Sequence, residues 1–349
     1  MKKTIAIIGN FGDLSKQVSD GQTIKTRVVT NELINYFGKD EVITFNTFGG
    51  ILNLLKAPII CIKALCKASN VIIFPAHNGV RVFVPLLSIL SFFVKDCRLH
   101  YCVIGGWLPK FLRNRLILRK SLRMFYAIYV ETNTMRINLE ALGFNNIVLL
   151  PNFKDLTIIN KSDITTAYSK PYKLCTFSRV CKEKGIEDAI KAITEINEQN
   201  GETIYSLDIY GNIDSSQIEW FDRLKSKFPE YVSYKGVVDF NGSVEVLKDY
   251  YALLFPTHYY TEGIPGTIID AYAAGLPVIS AKWQSFADII DDNITGIGYE
   301  FDDYNEFKLI LENIHKDTSK IIDLKFNCIN KAKAYLPEQA LSTLINNIK

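Results

Sequence analysis

Two acidic residues eight positions apart, Glu262 and Asp270, lie in and just after a segment rich in glycine and proline. The apolar run that ends at Phe255 predicts a buried strand, and a helix is predicted to begin near Thr267. Gly275, followed closely by a proline, is typical of a helix end. The segment therefore leads from a strand into a helix N-terminus, where free backbone N–H groups and the helix dipole favour a phosphate.

The two carboxylates next to this anion site are suited to bind paired hydroxyl groups, such as those of a sugar or a ribose. The alternatives are structural: Glu262 is a solvated loop charge, and Asp270 is a helix-surface residue. Their combination with Gly266 and the predicted helix start favours a ligand site.

Two basic residues, Arg179 and Lys184, lie between a predicted strand that ends at Phe177 and a helix that begins near Ile186. Both side chains are expected at the carboxyl edge of the sheet, beside Gly185. Two cations there would neutralise a diphosphate leaving group. The alternative is a solvated basic loop.

A third group of polar residues follows the first predicted strand, in the N-terminal half of the chain. Gly12 belongs to a glycine pair that would let the backbone approach phosphates closely. Gly21, Gln22, Thr23 and Lys25 lie where a polar turn opens a helix. Their amide, hydroxyl and ammonium groups are candidates to hold the hydroxyls or phosphate of an acceptor, with a simple helix cap as the alternative.

Two further strand ends carry candidate residues. His77 follows the predicted strand Val71–Phe74, and Gly106 and Trp107 follow a strand that ends at Ile104. Trp107 offers a flat apolar face for an acceptor sugar, although a buried Trp is the common alternative. For His77 the alternative is a structural histidine.

The elements that position these residues alternate along the whole chain, as short apolar runs separated by longer helix-period segments. This rhythm predicts an α/β fold of parallel βαβ units. We predict two doubly wound Rossmann-like domains, over residues 1–160 and 170–335, joined by a polar linker near Lys154–Pro171. A final helix, 336–349, is expected to pack back on the first domain. Because ligands bind beyond the carboxyl ends of such strands, two facing domains would close a cleft.

The strands predicted for the first domain are Thr4–Ile8, Glu41–Phe45, Val71–Phe74, Leu99–Ile104, Tyr126–Val130 and Ile147–Leu150. Those predicted for the second domain are Lys173–Phe177, Tyr205–Tyr210, Tyr231–Lys235, Tyr251–Phe255 and Pro277–Ala281.

Composition excludes several classes of protein. With 48% apolar and 22% charged residues, the 349-residue chain is typical of a globular protein, and its net charge of +3 does not indicate a nucleic-acid partner. Seven cysteines without a CxxC pair favour a reduced cytoplasmic protein. No targeting segment is apparent, and the apolar segment Val80–Val94 is interpreted as a buried helix. Because Asp302-Asp303 resembles a turn rather than a DxD motif, we expect no metal and no other cofactor.

The segment 110–123 carries six basic residues and no acidic residue, interleaved with leucines, Phe111 and Ile117. A basic amphipathic helix of this kind can lie on an anionic membrane surface. We therefore expect a cytoplasmic protein that is peripheral on the inner face of the plasma membrane. The alternative is a helix with a solvated basic face.

At this point the sequence resembles the family-4 retaining glycosyltransferases with the GT-B fold. The resemblance is carried by Arg179 with Lys184-Gly185, by Glu262-x7-Asp270-Ala, and by the Ala-Gly-Leu-Pro-Val motif at 274–278. Asp208-Ile-Tyr-Gly211, Tyr234-Lys-Gly236 and Leu150-Pro-Asn152 add to it, so it covers nearly the whole chain. The segment 9–26 resembles a subset that assembles bacterial capsule or other surface polysaccharides.

The resemblance implies a metal-independent, retaining transfer of a sugar from a nucleotide diphosphate donor, with UDP favoured. The implied acceptor is a saccharide carried on a polyprenyl diphosphate. Arg179 and Lys184 would hold the diphosphate, Glu262 a sugar hydroxyl and Asp270 the ribose, while His77 would contact the transferred sugar. The donor would also contact the glycines and loop residues Gly12, Gly211, Gly263, Ile264, Pro265, Gly266 and Thr267.

Two positions depart from the family pattern. The second acidic residue is usually Glu, and Asp270 is shorter; Pro265 removes one backbone donor from the phosphate loop. Two other functions stay open: a nucleotide-sugar epimerase of the same fold, and a non-catalytic partner subunit of a glycosyltransferase. The intact Arg179, Lys184 and Glu262 argue against the subunit.

Overall fold

The computed structural model describes residues 3–13, 21–49, 55–94 and 96–349, except for the side chain of residue 240. The chain divides into two compact units. Unit 1 comprises Met1–Asn152 together with Ala340–Lys349, and unit 2 comprises Phe153–Gln339. Ser19 and Asp20 of the predicted polar turn lie outside the described residues.

Unit 1 is built on a six-stranded parallel sheet with the strand order β2-β1-β3-β4-β5-β6. Its strands are β1 (Lys3–Gly9), β2 (Val42–Asn46), β3 (Ala68–Ile73), β4 (Arg98–Cys102), β5 (Ala127–Val130) and β6 (Ile147–Leu149). Its helices are α1 (Gly21–Phe37), α2 (Ala57–Lys67), α3 (His77–Ser91), α4 (Leu108–Leu112), α5 (Leu116–Leu122) and α6 (Asn133–Glu140).

Unit 2 is built on a second six-stranded parallel sheet, with the order β12-β11-β10-β7-β8-β9. Its strands are β7 (Tyr172–Phe177), β8 (Tyr205–Tyr210), β9 (Val232–Gly236), β10 (Ala252–Phe255), β11 (Val278–Ala281) and β12 (Gly296–Tyr299). Its helices are α7 (Ile186–Asn200), α8 (Ile218–Lys225), α9 (Ser243–Leu247), α10 (Gly266–Ala273), α11 (Tyr304–Ile314) and α12 (Ser319–Ala332), before the terminal helix α13 (Pro337–Ile348).

The predicted α/β class and both doubly wound sheets are confirmed. Each of the eleven predicted strands is present. Most of them are buried on both faces, and an apolar run of that kind is a strong signal for a parallel strand. The twelfth strand, β12, was missed. Its sequence, Gly-Ile-Gly-Tyr, contains two glycines, which are depleted in strands.

Two helix predictions need correction. Residues 110–123 form two short helices, α4 and α5, rather than one amphipathic helix, and most of their leucines lie in the core. The helix predicted as buried over Val80–Val94 is α3, whose sheet-facing side is buried while Ile89, Phe92 and Phe93 at its end are exposed. The first error comes from treating the apolar residues of a short segment as one face. The second comes from treating a largely apolar segment as buried on every side.

The boundary between the units lies at residues 152 and 153, not at 160. Residues just after Asn152 are held by unit 2 itself: the Lys154 N–H donates to the Tyr335 carbonyl at 3.1 Å, and the Ile159 N–H donates to the Ala273 carbonyl at 3.0 Å. The terminal residues Ala340–Lys349 cluster with unit 1. There the Asn70 amide donates to the Ile348 carbonyl at 3.1 Å.

Candidate functional site

The candidate site of unit 2 lies where the strand order of its sheet reverses. From β7 the chain adds β8 and β9 on one side, and then returns to add β10, β11 and β12 on the other. The loops after β7 and β10 therefore leave the same edge of the sheet side by side. This switch point is where open α/β sheets bind ligands.

The loop after β7 approaches its neighbours so closely that it requires glycine. Gly185 has a φ of 68°, and a Cβ atom on it would lie 1.8 Å from the Pro256 carbonyl oxygen. A Cβ atom on Gly211, after β8, would lie 1.8 Å from the Ser178 carbonyl oxygen. The loops following β7, β8 and β10 are thus packed backbone against backbone, which fixes the side chains that they carry.

Lys184 and Glu262 are brought together at this edge. The Lys184 ammonium donates to the Glu262 carboxylate, and both side chains are largely but not fully buried, with 13% and 17% of their surface exposed. The ammonium also lies 5.0 Å from the centre of the Phe255 ring and 5.2 Å from that of Tyr259. Glu262 additionally accepts from the Thr257 hydroxyl at 3.3 Å. The two predicted site residues therefore form one ion pair that a ligand can reach.

Arg179 occupies the same edge but is more open to solvent. Its guanidinium lies 3.3 Å from the carboxylate of Asp214, and 48% of its side chain is exposed. Asp214 follows β8 and its backbone N–H donates to the Val180 carbonyl at 3.0 Å. Asp214 thus orients Arg179 without burying it.

The N-terminus of α10 begins directly after the loop that carries Glu262. Helix α10 starts at Gly266, and its N-cap residue, Pro265, makes no side-chain capping bond. The Thr267 hydroxyl is buried and has no hydrogen-bond partner in the described part of the chain. Gly263 and Ile264, earlier in the loop, are buried. An uncapped helix start beside an unsatisfied hydroxyl can accept an anion.

Asp270 is buried, so the alternative that it is a helix-surface residue is wrong, while the ribose contact stays a prediction. Only 1% of the residue is exposed. Its carboxylate pairs with the Lys154 ammonium at 2.5 Å and accepts from the Ser243 hydroxyl at 2.8 Å. Because both carboxylate oxygens are engaged inside unit 2, a ribose contact would require Lys154 or Ser243 to move.

Unit 1 has a cavity of about 390 Å³ at the corresponding place in its own sheet, where the order reverses between β1 and β3. His77 and Gln22 are among its lining residues. The Gln22 side chain donates to the Phe74 carbonyl at 2.8 Å, which holds its amide at the cavity wall. The cavity therefore brings together Gln22, which was predicted to bind the acceptor, and His77, which was predicted to contact the transferred sugar.

The other residues predicted near the start of α1 do not line this cavity. Lys25 is buried and forms an ion pair with the buried Glu131, and Thr23 is only 1% exposed. A Cβ atom on Gly12, whose φ is 69°, would lie 3.0 Å from the Thr23 methyl group. Gly21 is exposed at the first position of α1. Lys25 and Thr23 are therefore buried inside unit 1, and the ligand contacts of Lys25, Thr23 and Gly12 stay predictions.

His77 and Trp107 are stacked on each other, with 3.8 Å between ring centroids and 27° between ring planes. The half-buried Trp107, which follows the half-buried Gly106, donates from its indole N–H to the Ile104 carbonyl at 2.8 Å. One face of Trp107 is therefore covered by His77 rather than free for a sugar. Burial, together with the nearby Arg81 and Arg115 charges, lowers the pKa of His77, so the ring is neutral at pH 7.

Sequence reasoning missed Asp214, Lys154 and Ser243. Asp214 follows a predicted strand end, and the rule that located Arg179 would have found it. Lys154 and Ser243 carry no local signal, because they contact Asp270 across 116 and 27 residues.

Residues 171–317 match the model of the family described as "Glycosyl transferases group 1". The chain is similar to the amylovoran biosynthesis glycosyltransferase AmsK of Erwinia amylovora, with 25% identity over 139 residues that cover 37% of this chain and 32% of that protein. The matched stretch spans about a third of the length of the curated relatives.

Two solved structures are similar over almost the whole chain. The HepE protein of Anabaena, solved in complex with UDP, has a TM-score of 0.73 at 15% identity, with 99% of this chain and 98% of that chain covered. Sucrose-phosphate synthase of Thermosynechococcus elongatus has a TM-score of 0.75 at 15% identity, with the same coverage. The family match and the curated relative confirm the resemblance of residues 171–317 to glycosyltransferases. The two solved structures confirm the GT-B fold.

Proposed function

We propose, on the premise that residues 171–317 form a group 1 glycosyltransferase domain, that this protein transfers a sugar from a nucleoside diphosphate donor to a saccharide acceptor. A UDP-sugar is the favoured donor, since HepE was solved with UDP. The proposal includes retention of the anomeric configuration, independence of metal, and a role in surface polysaccharide synthesis. The similarity to a glycosyltransferase named for amylovoran biosynthesis supports that role.

The observation that carries the proposal is the ion pair of Lys184 with Glu262 beside the uncapped start of α10. A helix start and a lysine supply positive potential for a diphosphate, and Arg179 adds a second cation nearby. A carboxylate in the same place supplies the acceptor that a sugar hydroxyl needs. The Thr267 hydroxyl, which is buried and has no hydrogen-bond partner among the described residues, is satisfied if it donates to a phosphate oxygen.

Donor binding would exchange the partners of the ion pair. The diphosphate attracts the Lys184 ammonium, and this frees Glu262 to accept a hydrogen bond from the sugar. In the transfer step the acceptor oxygen bonds to the anomeric carbon on the face from which the diphosphate leaves. The acceptor proton passes to the leaving diphosphate oxygen, while Arg179 and Lys184 stabilise the charge that develops there.

The unit 1 cavity is the proposed acceptor site. Gln22 and the neutral His77 offer hydrogen-bonding groups at its wall, which suits an uncharged saccharide better than a second phosphate. We further propose that the acceptor is carried on a polyprenyl diphosphate, so that the protein works at the cytoplasmic face of a membrane. We propose that the segment 110–123 contacts that membrane.

Calorimetric binding of UDP, GDP, ADP and CMP tests the donor site, with Arg179→Ala as the comparison. We expect one nucleotide to bind and to lose about tenfold in affinity in the variant, the usual effect of removing one charged hydrogen bond. Incubation with the matching nucleotide sugars then tests the reaction. A transferred sugar supports the proposal, an epimerised donor supports the epimerase, and binding of no nucleotide overturns the donor site.

A further inference from the structure

The charges of the chain are unevenly distributed. Between Glu41 and Glu131 there is one acidic residue, Asp96, against twelve lysines and arginines, although the whole chain has 40 basic and 37 acidic residues. This basic stretch comprises most of unit 1, including helices α2, α3, α4 and α5. The sequences of these four helices contain no Asp or Glu.

Helices α2, α3 and α5 lie on the same side of the unit 1 sheet. Each precedes a strand that is added in the same direction, β3, β4 and β5, and right-handed crossovers place such helices on one face. Their packing is direct: the Ser88 hydroxyl of α3 donates to the Ser121 carbonyl of α5 at 2.9 Å. The three helices therefore share one outer surface.

Large apolar side chains are exposed on these three helices and at their ends. Phe92 and Phe93, at the end of α3, have 71% and 82% of their surface exposed, and Leu116 and Ile117, at the start of α5, have 67% and 74%. Ile62 of α2 and Ile89 of α3 are also exposed. We call these six residues the apolar face. Exposed apolar groups on neighbouring helices indicate a surface that binds a partner.

Exposed cations accompany the apolar face: Lys63 and Lys67 on α2, and Arg113 and Lys120 at α4 and α5. Other basic residues of segment 110–123 serve the fold instead. The Arg119 guanidinium donates to the Leu142 carbonyl at 2.7 Å. The membrane contact proposed for 110–123 therefore cannot rest on that segment alone.

We infer that the apolar face and its exposed cations form a peripheral docking surface for a bilayer that contains anionic lipid. The inference rests on the membrane contact in the proposed function and widens it from one segment to three helices. Aromatic and aliphatic side chains enter the interface, while lysine and arginine head groups meet lipid phosphates. A second copy of this chain fits poorly, because two faces of the same positive charge repel each other.

Attachment of this kind does not require a membrane span. Within the described residues, no helix is long and apolar enough to cross a bilayer. The surface lies wholly within unit 1, and the residues proposed for nucleotide binding near Lys184 lie in unit 2. Docking and donor binding can therefore be tested separately.

Sedimentation with phosphatidylcholine vesicles, with and without about one third phosphatidylglycerol, tests the inference. The protein should bind only the anionic vesicles, and less tightly as salt is raised. A triple variant with Lys63→Glu, Arg113→Glu and Lys120→Glu should bind the anionic vesicles about a hundredfold more weakly. Each lost positive charge near the membrane surface contributes a factor of about five. Phe92→Ser with Phe93→Ser should weaken it about tenfold, since apolar area is lost from the interface.

A matched control makes the same change in net charge elsewhere: Lys227→Glu, Lys316→Glu and Lys333→Glu, all exposed in unit 2. This control should keep vesicle binding. An equal loss in the control, or no binding by the unaltered protein, overturns the inference. The inference is also overturned if the protein binds no vesicles but forms a dimer in solution that the phenylalanine substitutions abolish. Unchanged melting temperatures show that the variants fold. Unchanged UDP affinities show that the donor site does not depend on the membrane-docking surface.

Discussion

Lys184 and Glu262 pair with each other across 78 residues of sequence, between loops that follow the neighbouring strands β7 and β10. Neither side chain is fully buried, so each can exchange its partner for a ligand. Each residue holds the other in place in the absence of donor. The pair thus prepares two different groups, one for phosphate and one for sugar.

Substitutions of Lys184 and Glu262 should separate phosphate binding from sugar binding. Lys184→Ala should weaken UDP binding about tenfold or more, because a charged contact is lost. Glu262→Gln should leave UDP affinity unchanged or raise it, because Lys184 no longer has to leave a carboxylate. The same variant should lose affinity for the UDP-sugar relative to UDP, and should lose turnover. Titration calorimetry with both ligands checks this.

Lys182→Ala is the matched control, since Lys182 lies in the same short turn but is exposed and 6.0 Å from the Trp220 ring centre. It should retain UDP affinity. Loss of UDP binding in Glu262→Gln as large as in Lys184→Ala would contradict the proposed division of roles.

Removal of the Thr267 hydroxyl should change UDP affinity without changing the free energy of unfolding. Because it is buried without a partner in the described structure, Thr267→Val should not lower the free energy of unfolding. It should weaken UDP binding about tenfold if the hydroxyl donates to a phosphate. The Thr176 hydroxyl of β7 is likewise buried without a partner there, so Thr176→Val is the control that should leave binding intact. Equal UDP affinities in the two variants would remove Thr267 from the site.

Asp270 shows what the sequence could and could not reveal. The Glu262-x7-Asp270 spacing and the helix start between them were correctly located, because local patterning determines them. The partners of Asp270 could not be predicted, because Lys154 contacts it from the segment interpreted as a linker. Strand β12 was missed for the same kind of reason: pairing with the neighbouring strand β11, which local propensity does not show, stabilises a sequence of low strand propensity.

Asp270→Asn should therefore act mainly on stability. It removes the charge that compensates Lys154 and retains a group that can still bond Ser243, at a cost of about 2 kcal/mol in the free energy of unfolding. UDP affinity should change by less than about threefold, well below the effect of one charged hydrogen bond. Denaturant unfolding and calorimetry give the two numbers. A large loss of UDP affinity with normal stability would support the ribose contact.

His258 makes the stability of unit 2 dependent on pH. It lies in the loop before Glu262 and bridges Asp302 at 2.7 Å and Asp188 at 3.0 Å. Burial opposes the charged ring, but the two carboxylates outweigh it and raise the pKa of His258 above its usual value. The extra stability is therefore complete below about pH 6.5 and is lost as the pH rises through the folded-state pKa.

The difference in unfolding free energy between the unaltered protein and His258→Gln should thus shrink as the pH rises above about 6.5. His315 supplies an opposite control, because burial and the nearby Lys316 and Lys170 charges lower its pKa. Its replacement should relieve a penalty that grows towards low pH. A His258 difference that is constant with pH would show that the bridge is not ionic.

Two glycines at opposite ends of α7 allow the cost of steric crowding to be distinguished from the cost of a positive φ angle. Gly185 and Gly201 have φ values of 68° and 64°, so an alanine at either position costs about 1 kcal/mol for its backbone. At Gly185 the new Cβ atom would also strike another backbone, the Pro256 carbonyl 1.8 Å away. At Gly201 none of the described residues outside its chain neighbours and its own helix lies within 4 Å of that position.

Gly185→Ala should consequently destabilise the protein by at least about 1–3 kcal/mol more than Gly201→Ala, the usual cost of forcing atoms into a packed site. Because the clash pushes the β7 and β10 loops apart, Gly185→Ala should also lengthen the Lys184 to Glu262 contact and weaken UDP binding. Denaturant unfolding and calorimetry on both variants check this. Equal destabilisation would mean that the two loops separate freely, and that their close packing does not position the ion pair.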